Sequence, residues 1–363
     1  MDQALMDFVG KNGISQGAIA AYAASTGRID PSMLRPYLDL RTGKSYITAY
    51  MGGDVKNPKS YVAVPIQTNA TLRRDEWKLL DEAVLKISES RLGGIQDLIT
   101  KNLVHNIGSG MGSTVLEWHD MSDAMVADLT MDGVTRSPGD RPAYSTNYLP
   151  LPIIHSDYEI NARVLAASRT KGEPLDTSAA ERAARKVNEK LESMLFTDVT
   201  YSFGGGAIYS YLNEPNINEV TLPLAWDNAA KTGALILTDV LDMKQSSINA
   251  YHYGPWRLYV PTAYETVLDG DYDVTTPGTT IRERILKIAG IESVAVIDTL
   301  PANTVVLVQM TSDVVRLVRG MGIQNVEWQT EGKMITKFKC MTIQVPQVRS
   351  DQEGHSGVVV LAA

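Results

Sequence analysis

The clearest periodicity in the chain lies in Ser178–Phe196, SAAERAARKVNEKLESMLF. Ala180, Ala184, Val187, Leu191 and Met194 recur on one apolar stripe, while Arg182, Lys186, Glu189 and Lys190 belong to the remaining surface. Ser178 and Glu181 have the spacing of a capping box, in which the serine oxygen accepts a backbone N–H and the glutamate reaches back. The pattern predicts a helix of about 27 Å at about 1.5 Å per residue. Residues 71–103 carry a second helical pattern, with Trp77, Leu80, Val84, Ile87 and Leu92 near one face and a predicted break at Gly93–Gly94.

Strand patterns fill much of the rest. In residues 115–163, VLEWHDMSDAMVADLTMDG leads out, VTRSPGDRPAYSTNY forms a polar tip, and LPLPIIHSDYEINAR leads back. This predicts two strands of roughly 15 residues each, near 50 Å at about 3.3 Å per residue, against a usual strand of about 5–6 residues. Pro150 and Pro152 remove ladder donors and put the return arm on an edge. A hairpin of that length must pack on something outside its own unit. Residues 213–307 alternate helices (233–252 and 279–290) with short β-rich runs, YGPWRLYVP, SVAVIDTLP and TVVLVQM. Residues 311–363 return to strands. In residues 1–70, ISQGAIAAYAAS predicts a short helix, and the Pro-, Gly- and Tyr-rich stretch after it predicts an extended arm with short strands.

Composition narrows the function classes. The chain has 363 residues, 44% of them hydrophobic, enough for a substantial core. Its net charge of −8 argues against a dedicated nucleic-acid binder and does not exclude a container that must avoid gripping DNA tightly. Cys340 is the single cysteine, which excludes an internal disulfide and a multi-cysteine zinc site. Its context, KFKCMTI, alternates as a strand does. The acidic start MDQALMDFVGKNG has no basic n-region, and no run of about 18 apolar residues occurs, so neither a secretory signal nor a membrane span is expected.

No catalytic constellation emerges. The histidines at 105, 119, 155, 252 and 355 are scattered and form no His-Glu-x-x-His pair. Gly108-Ser-Gly110-Met-Gly112 lacks the ending of a P-loop and reads as a flexible joint. Asp269, Asp271 and Asp273 gather three carboxylates, but Thr280 stands where an EF-hand needs its twelfth-position glutamate, so a solvated acidic loop is the better reading. Neither Asp157 with Glu159 nor Glu181 with Glu189 has an evident pocket. No metal, no cofactor and no enzymatic activity are expected.

The order of the parts resembles the major capsid proteins of tailed phages, the Hong Kong 97 (HK-97) type, in the branch that includes the encapsulin shell proteins. Four stretches carry the resemblance: LPIIHSDYEINARVLAASRTKGEPLDTSAAERAARKVNEKLESMLF, GGGAIYSYLNEPNINEV, YGPWRLYVPTAYETVLDGDY with TIRERILKIAGIESVAVIDTLPANTVVLVQM, and FKCMTIQVPQVRSDQEGHSGVVVL. It covers roughly residues 115–363. It implies an α+β HK-97-like fold with an N-arm (1–70), an N-terminal helical segment (71–114), an E-loop hairpin (115–163), a peripheral domain (164–212 and 308–363) containing a spine helix, and an axial domain (213–307). The E-loop tip residues Arg136, Pro138, Asp140, Arg141 and Tyr144 would contact neighbouring subunits. The loop of Asp269, Asp271 and Asp273 would lie near or beside a symmetry axis.

The resemblance implies a homo-oligomer of pentamers and hexamers in an icosahedral shell. Its partners would be packaged double-stranded DNA, bound without sequence specificity, together with portal, scaffolding and decoration proteins, and no membrane. It would be assembled in the host cytoplasm and reside in the virion. The sequence has no lysine between Lys101 and Lys171, so the isopeptide cross-link of the type member is not expected here. There is no long acidic helical segment of the fused-scaffold kind either. The alternative is an encapsulin-like compartment around a cargo enzyme. The 70 residues ahead of the first long helix favour the capsid, because encapsulins typically start close to the helix that binds cargo peptides.

Overall fold

The structure is a computed structural model. It describes residues 35–362 except 40, 51–56, 58–60, 67–71, 92, 109, 122–128, 130, 132–143, 172–176, 198–199, 274–277, 332–333 and 352. The short helix expected within residues 14–25 lies outside the described residues.

Near the N-terminus, β1 (Tyr37–Leu38), β2 (Ser45–Tyr50) and β3 (Tyr61–Ile66) form an antiparallel sheet in that order. Helix α1 (Arg74–Arg91) follows, tied to β1 through Leu38 N–H to the Leu72 carbonyl (2.9 Å) and Trp77 Nε1 to the Pro36 carbonyl (3.0 Å). Arg35 completes the junction with an ion pair to Asp81 (2.7 Å) and by lying 4.6 Å above the Trp77 ring. Helix α2 (Gly93–Thr100) restarts at the expected glycine break. It leads into β4 (Val104–Asn106) and a 3-10 turn at Gly110–Gly112.

Within that glycine-rich stretch Gly110 is packed: a Cβ there would stand 2.4 Å from the Gly320 backbone, so the two glycines meet back to back. Gly108 is exposed, with open space around it.

Two sheets organise the rest. The four-stranded sheet has the order β4, β14 (Val315–Glu331), β15 (Ile335–Val348), β7 (Ile154–Asn161). Among the described residues the longest hairpin is β14–β15. Its ladder shifts register near Arg319–Met321, Met321–Gln324 and Glu327–Gln329, so Gly320 and Gly322 lie within a bulged continuous strand and do not end it. Within 115–163 the described ladder joins seven residues of each strand, and the tip of the expected hairpin lies outside the described residues. Strand β5 (Val115–Met121) pairs with β6 (Tyr144–Pro150), after which the chain leaves that ladder at Leu151–Ile153 and joins β15 as β7. Pro150 and Pro152 lie at this transfer, where no ladder donor is needed.

The five-stranded sheet has the order β10 (Asn218–Thr221), β16 (Val358–Ala362), β13 (Thr304–Gln309), β11 (Trp256–Pro261), β12 (Ile291–Ile297). Both faces are covered. Leu258, Val260, Val305, Leu307, Val359 and Leu361 face α5 (Gly233–Asn249), α6 (Glu265–Leu268) and α7 (Ile281–Leu286). Tyr259, Val306, Val308 and Val360 face α2 and the C-terminal end of the long helix. This explains why these strands read as unbroken apolar runs. The sequence reading grouped Val358–Ala362 with the strands of 308–363. In the structure they pair with β10 and β13, where an apolar run can be buried on both sides.

The long helix α4 (Ser178–Phe196), which follows α3 (Ala162–Lys171), joins the two sheets. Ala180, Ala184, Val187, Leu191 and Met194 are all buried, none more than 5% exposed. Ala180 meets α1, β7 and β15 through Leu72, Leu80, Ile160 and Phe338. Leu195 and Phe196 reach under the five-stranded sheet, where Phe196 packs edge-on to Tyr259 at 5.0 Å. The cap is displaced by one residue from the expected box. Thr177 is the N-cap, and its hydroxyl bonds the Glu181 carboxylate (3.2 Å). Replacing Ala184 with Asp would place an unpaired charge in this contact, at a cost of about 3–5 kcal/mol. The expected outcome is collapse of soluble yield, or a large fall in the urea midpoint, read by far-UV circular dichroism.

Candidate assembly interface

The β5–β6 hairpin has one packed and one open face. Leu116 and Trp118 of β5 and Leu149 of β6 join the cluster that includes Met194, Ile208, Val318 and Met341. On the other face, Glu117 pairs with Tyr148, His119 with Thr146, and Met121 with Tyr144. Glu117, His119, Tyr144 and Tyr148 are exposed, Tyr144 at 67%. Beside it a two-strand turn, β8 (Tyr201–Phe203) and β9 (Gly206–Ile208), exposes Tyr201 and Phe203 as well. Gly204 and Gly205 have φ of +61° and +84°, the left-handed pair such a two-residue turn demands. A Cβ on Gly206 would fall 2.0 Å from the Tyr148 carbonyl oxygen, so glycine lets this turn press against β6.

The hairpin root is held by polar contacts around a cleft of about 290 Å³. Asp120 of β5 accepts from Asn147 of β6 and lies 3.4 Å from the Arg349 guanidinium just past β15. Across the cleft, Glu214 accepts from the Asn216 backbone (2.9 Å) and the Ser350 hydroxyl (3.1 Å). Burial pushes the Glu214 carboxyl above the usual range, and those two hydrogen bonds pull partly against it.

Beyond β5, Leu129 and Met131 project fully into solvent, 99% and 104% exposed. In the sequence both fall within the outgoing strand pattern VLEWHDMSDAMVADLTMDG, where the apolar residues at 129 and 131 do not stand out. Arg136, Pro138, Asp140 and Arg141 lie outside the described residues. Asp269 is ion-paired to Arg282 (2.9 Å), and Asp271 bridges Thr280. Among the described residues no cluster of three or more His, Cys, Asp or Glu side chains could hold a metal ion. Cys340 is buried, and burial pushes its thiol up to about 12, so it carries no nucleophile.

A family model matches residues 67–361, that of a family of unknown function, DUF6260. The chain belongs to the DUF6260 family. This DUF6260 protein is 24% identical over 207 residues to the type 1 encapsulin shell protein EncA of Myxococcus xanthus (strain DK1622), a match covering 56% of this chain and 66% of EncA, just under two thirds of its length. Among solved structures it is similar to the virus-like particle from Pyrococcus furiosus, with a TM-score of 0.57, 19% identity, and coverage of 78% of this chain and 98% of that one. The capsid of Myoviridae phage XM1 gives a TM-score of 0.57 at 9% identity, covering 74% and 91%. The capsid of the native GTA particle gives 0.53 at 14%, covering 74% and 90%. The DUF6260 protein thus has the α+β HK-97-type fold.

The raised Glu214 carboxyl has a consequence for stability. The folded state holds this proton more tightly than the unfolded chain, so the group favours folding below its unfolded pKa. That contribution is lost as pH climbs through the folded value. Glu214→Gln stays neutral. It is expected to raise Tm relative to wild type near neutral pH and to lose that gain at about pH 4, as measured by scanning fluorimetry at both values.

Proposed function

We propose that this DUF6260 protein is the subunit of an icosahedral shell of pentamers and hexamers, and that the shell is the head of a tailed double-stranded DNA phage. The observation that carries the shell reading is the apolar pair Leu129 and Met131, wholly exposed on the chain alone and following the β5–β6 ladder. A second subunit is the natural cover for such a pair. The exposed aromatic row Tyr144, Tyr148, Tyr201 and Phe203 supports the same role for the hairpin's open face. Arg136, Pro138, Asp140 and Arg141 would belong to that contact, and the loop of Asp269, Asp271 and Asp273 would lie near a symmetry axis. In this reading residues 1–70 are an arm that lashes neighbours. The protein acts structurally, meets portal, scaffolding and decoration proteins, and is assembled in the host cytoplasm.

The likeness to EncA and to the Pyrococcus particle favours a second reading, an encapsulin-like compartment around a cargo enzyme. Electron microscopy of the purified assembly, with nuclease treatment and electrophoresis of what remains protected, separates the two. Large heads with protected duplex DNA are the expected outcome. Small shells with a second protein inside would establish the alternative, and absence of any particle would overturn both. In the same preparation, Leu129→Ser with Met131→Ser should leave the subunit's circular dichroism unchanged and reduce particle yield by tenfold or more, about 1.4 kcal/mol or more of lost contact.

A further inference from the structure

The junction between the three-stranded sheet and α1 gathers more cationic charge than it neutralises. A cleft of about 580 Å³ opens there. Tyr37, Tyr46 and Ala63, on one face of the sheet, form its floor. Arg73, Arg74 and Asp75 at the start of α1 close one side, and the β1–β2 turn brings Asp39 and Arg41 to the rim.

The acids of this junction are held within the chain. Asp39 accepts from the Arg41 amide (3.0 Å) and the Thr42 hydroxyl (3.0 Å), which shapes the turn. Glu76 accepts from the Arg73 amide (2.8 Å) and twice from the guanidinium of Arg169 in α3 (2.7 and 2.6 Å). Asp75 stands in the first turn of α1, where the helix dipole favours a carboxylate. The neighbouring Arg35 is engaged too, by Asp81 and the Trp77 ring. Arg41, Arg73 and Arg74 differ. None of them forms an ion pair among the described residues, and Arg73 Nε is buried without an acceptor. A buried donor left unmade is costly, and three like charges around one hollow repel each other. In a chain of net charge −8, carboxylates to quench them are plentiful, yet the fold places none against these three.

We propose that this cleft binds a small ligand that joins a phosphate group to a flat aromatic ring, the chemistry of a mononucleotide. Guanidinium forks match phosphate oxygens two at a time, and the phosphate supplies the acceptors that Arg41, Arg73 and Arg74 lack. The rings of Tyr37 and Tyr46 lie nearly parallel, their centroids 6.1 Å apart and their planes 27° from each other, an aromatic floor on which a base stacks. Ala63 beside them leaves room for it. The volume falls within the range of small-molecule sites, about 300–1,000 Å³. All the lining residues come from one chain, so the site does not rest on the shell reading.

The test is isothermal titration of the full chain, in a phosphate-free buffer, with AMP, adenosine and inorganic phosphate in turn. AMP is expected to bind one per subunit, with adenosine and phosphate each at least tenfold weaker. Arg41→Gln with Arg74→Gln should weaken AMP by tenfold or more. Ala63→Phe, which fills the cleft from an exposed strand position and leaves the charge unchanged, should do the same. Arg185→Gln with Lys287→Gln, which removes two exposed cations elsewhere, should bind AMP as wild type does. Absence of saturable AMP binding, phosphate or adenosine binding as tightly as AMP, full affinity in either cleft variant, or an equal loss in the distant one would overturn the proposal. Circular dichroism of each variant shows that the fold is kept.

Discussion

Burial of α4 against both sheets is the contact on which the other parts depend. Its N-terminal half is closed over by α1 and the β7–β15 edge, and its C-terminal residues Leu195 and Phe196 lie beneath the five-stranded sheet. Each large apolar side chain buried this way contributes about 1.5–3 kcal/mol. One rigid rod therefore fixes how the two sheets sit together. A polar pin reinforces the junction: Asp97 of α2 accepts from Arg257 (2.9 Å) and from the Tyr259 hydroxyl (3.0 Å) of β11. Burial pushes that carboxyl up, with Arg257 and Tyr259 opposing the shift, so the pin is held at some desolvation cost.

Much of this was legible in the residues. The stripe from Ala180 to Met194 announced both the helix and its buried face, because a 3.6-residue period leaves few other readings. The runs WRLYVP and TVVLVQ announced strands buried on both sides. The glycine pair at 93–94 marked the helix break. These are local patterns, and local patterns survive folding.

What failed was nonlocal. Glycines inside a strand pattern invite a break, as Gly320 and Gly322 do in VVRLVRGMG. They sit in a bulge that bends β14 while β15 continues beside it. Partner choice was also hidden. Nothing in IHSDYEIN states that it pairs with β15 and not with β5, since its alternation suits either edge. The exposed pair Leu129 and Met131 was missed because apolar residues inside a presumed strand look ordinary until the fold leaves them uncovered.

The topology of the five-stranded sheet carries one more consequence. Strand β10 pairs with β16 and with no other strand of the sheet, and β13 has β16 as one of its two neighbours. Residues 222–357 lie between β10 and β16, and residues 310–357 between β13 and β16. During synthesis on the ribosome, residues 218–309 can supply β11, β12 and β13, but the slot between β10 and β13 stays open until Val358–Ala362 emerges. A chain arrested before that point presents unpaired backbone edges of apolar strands. The last-made strand is thus the keystone of this sheet, and growing chains need protection from one another until it is in place.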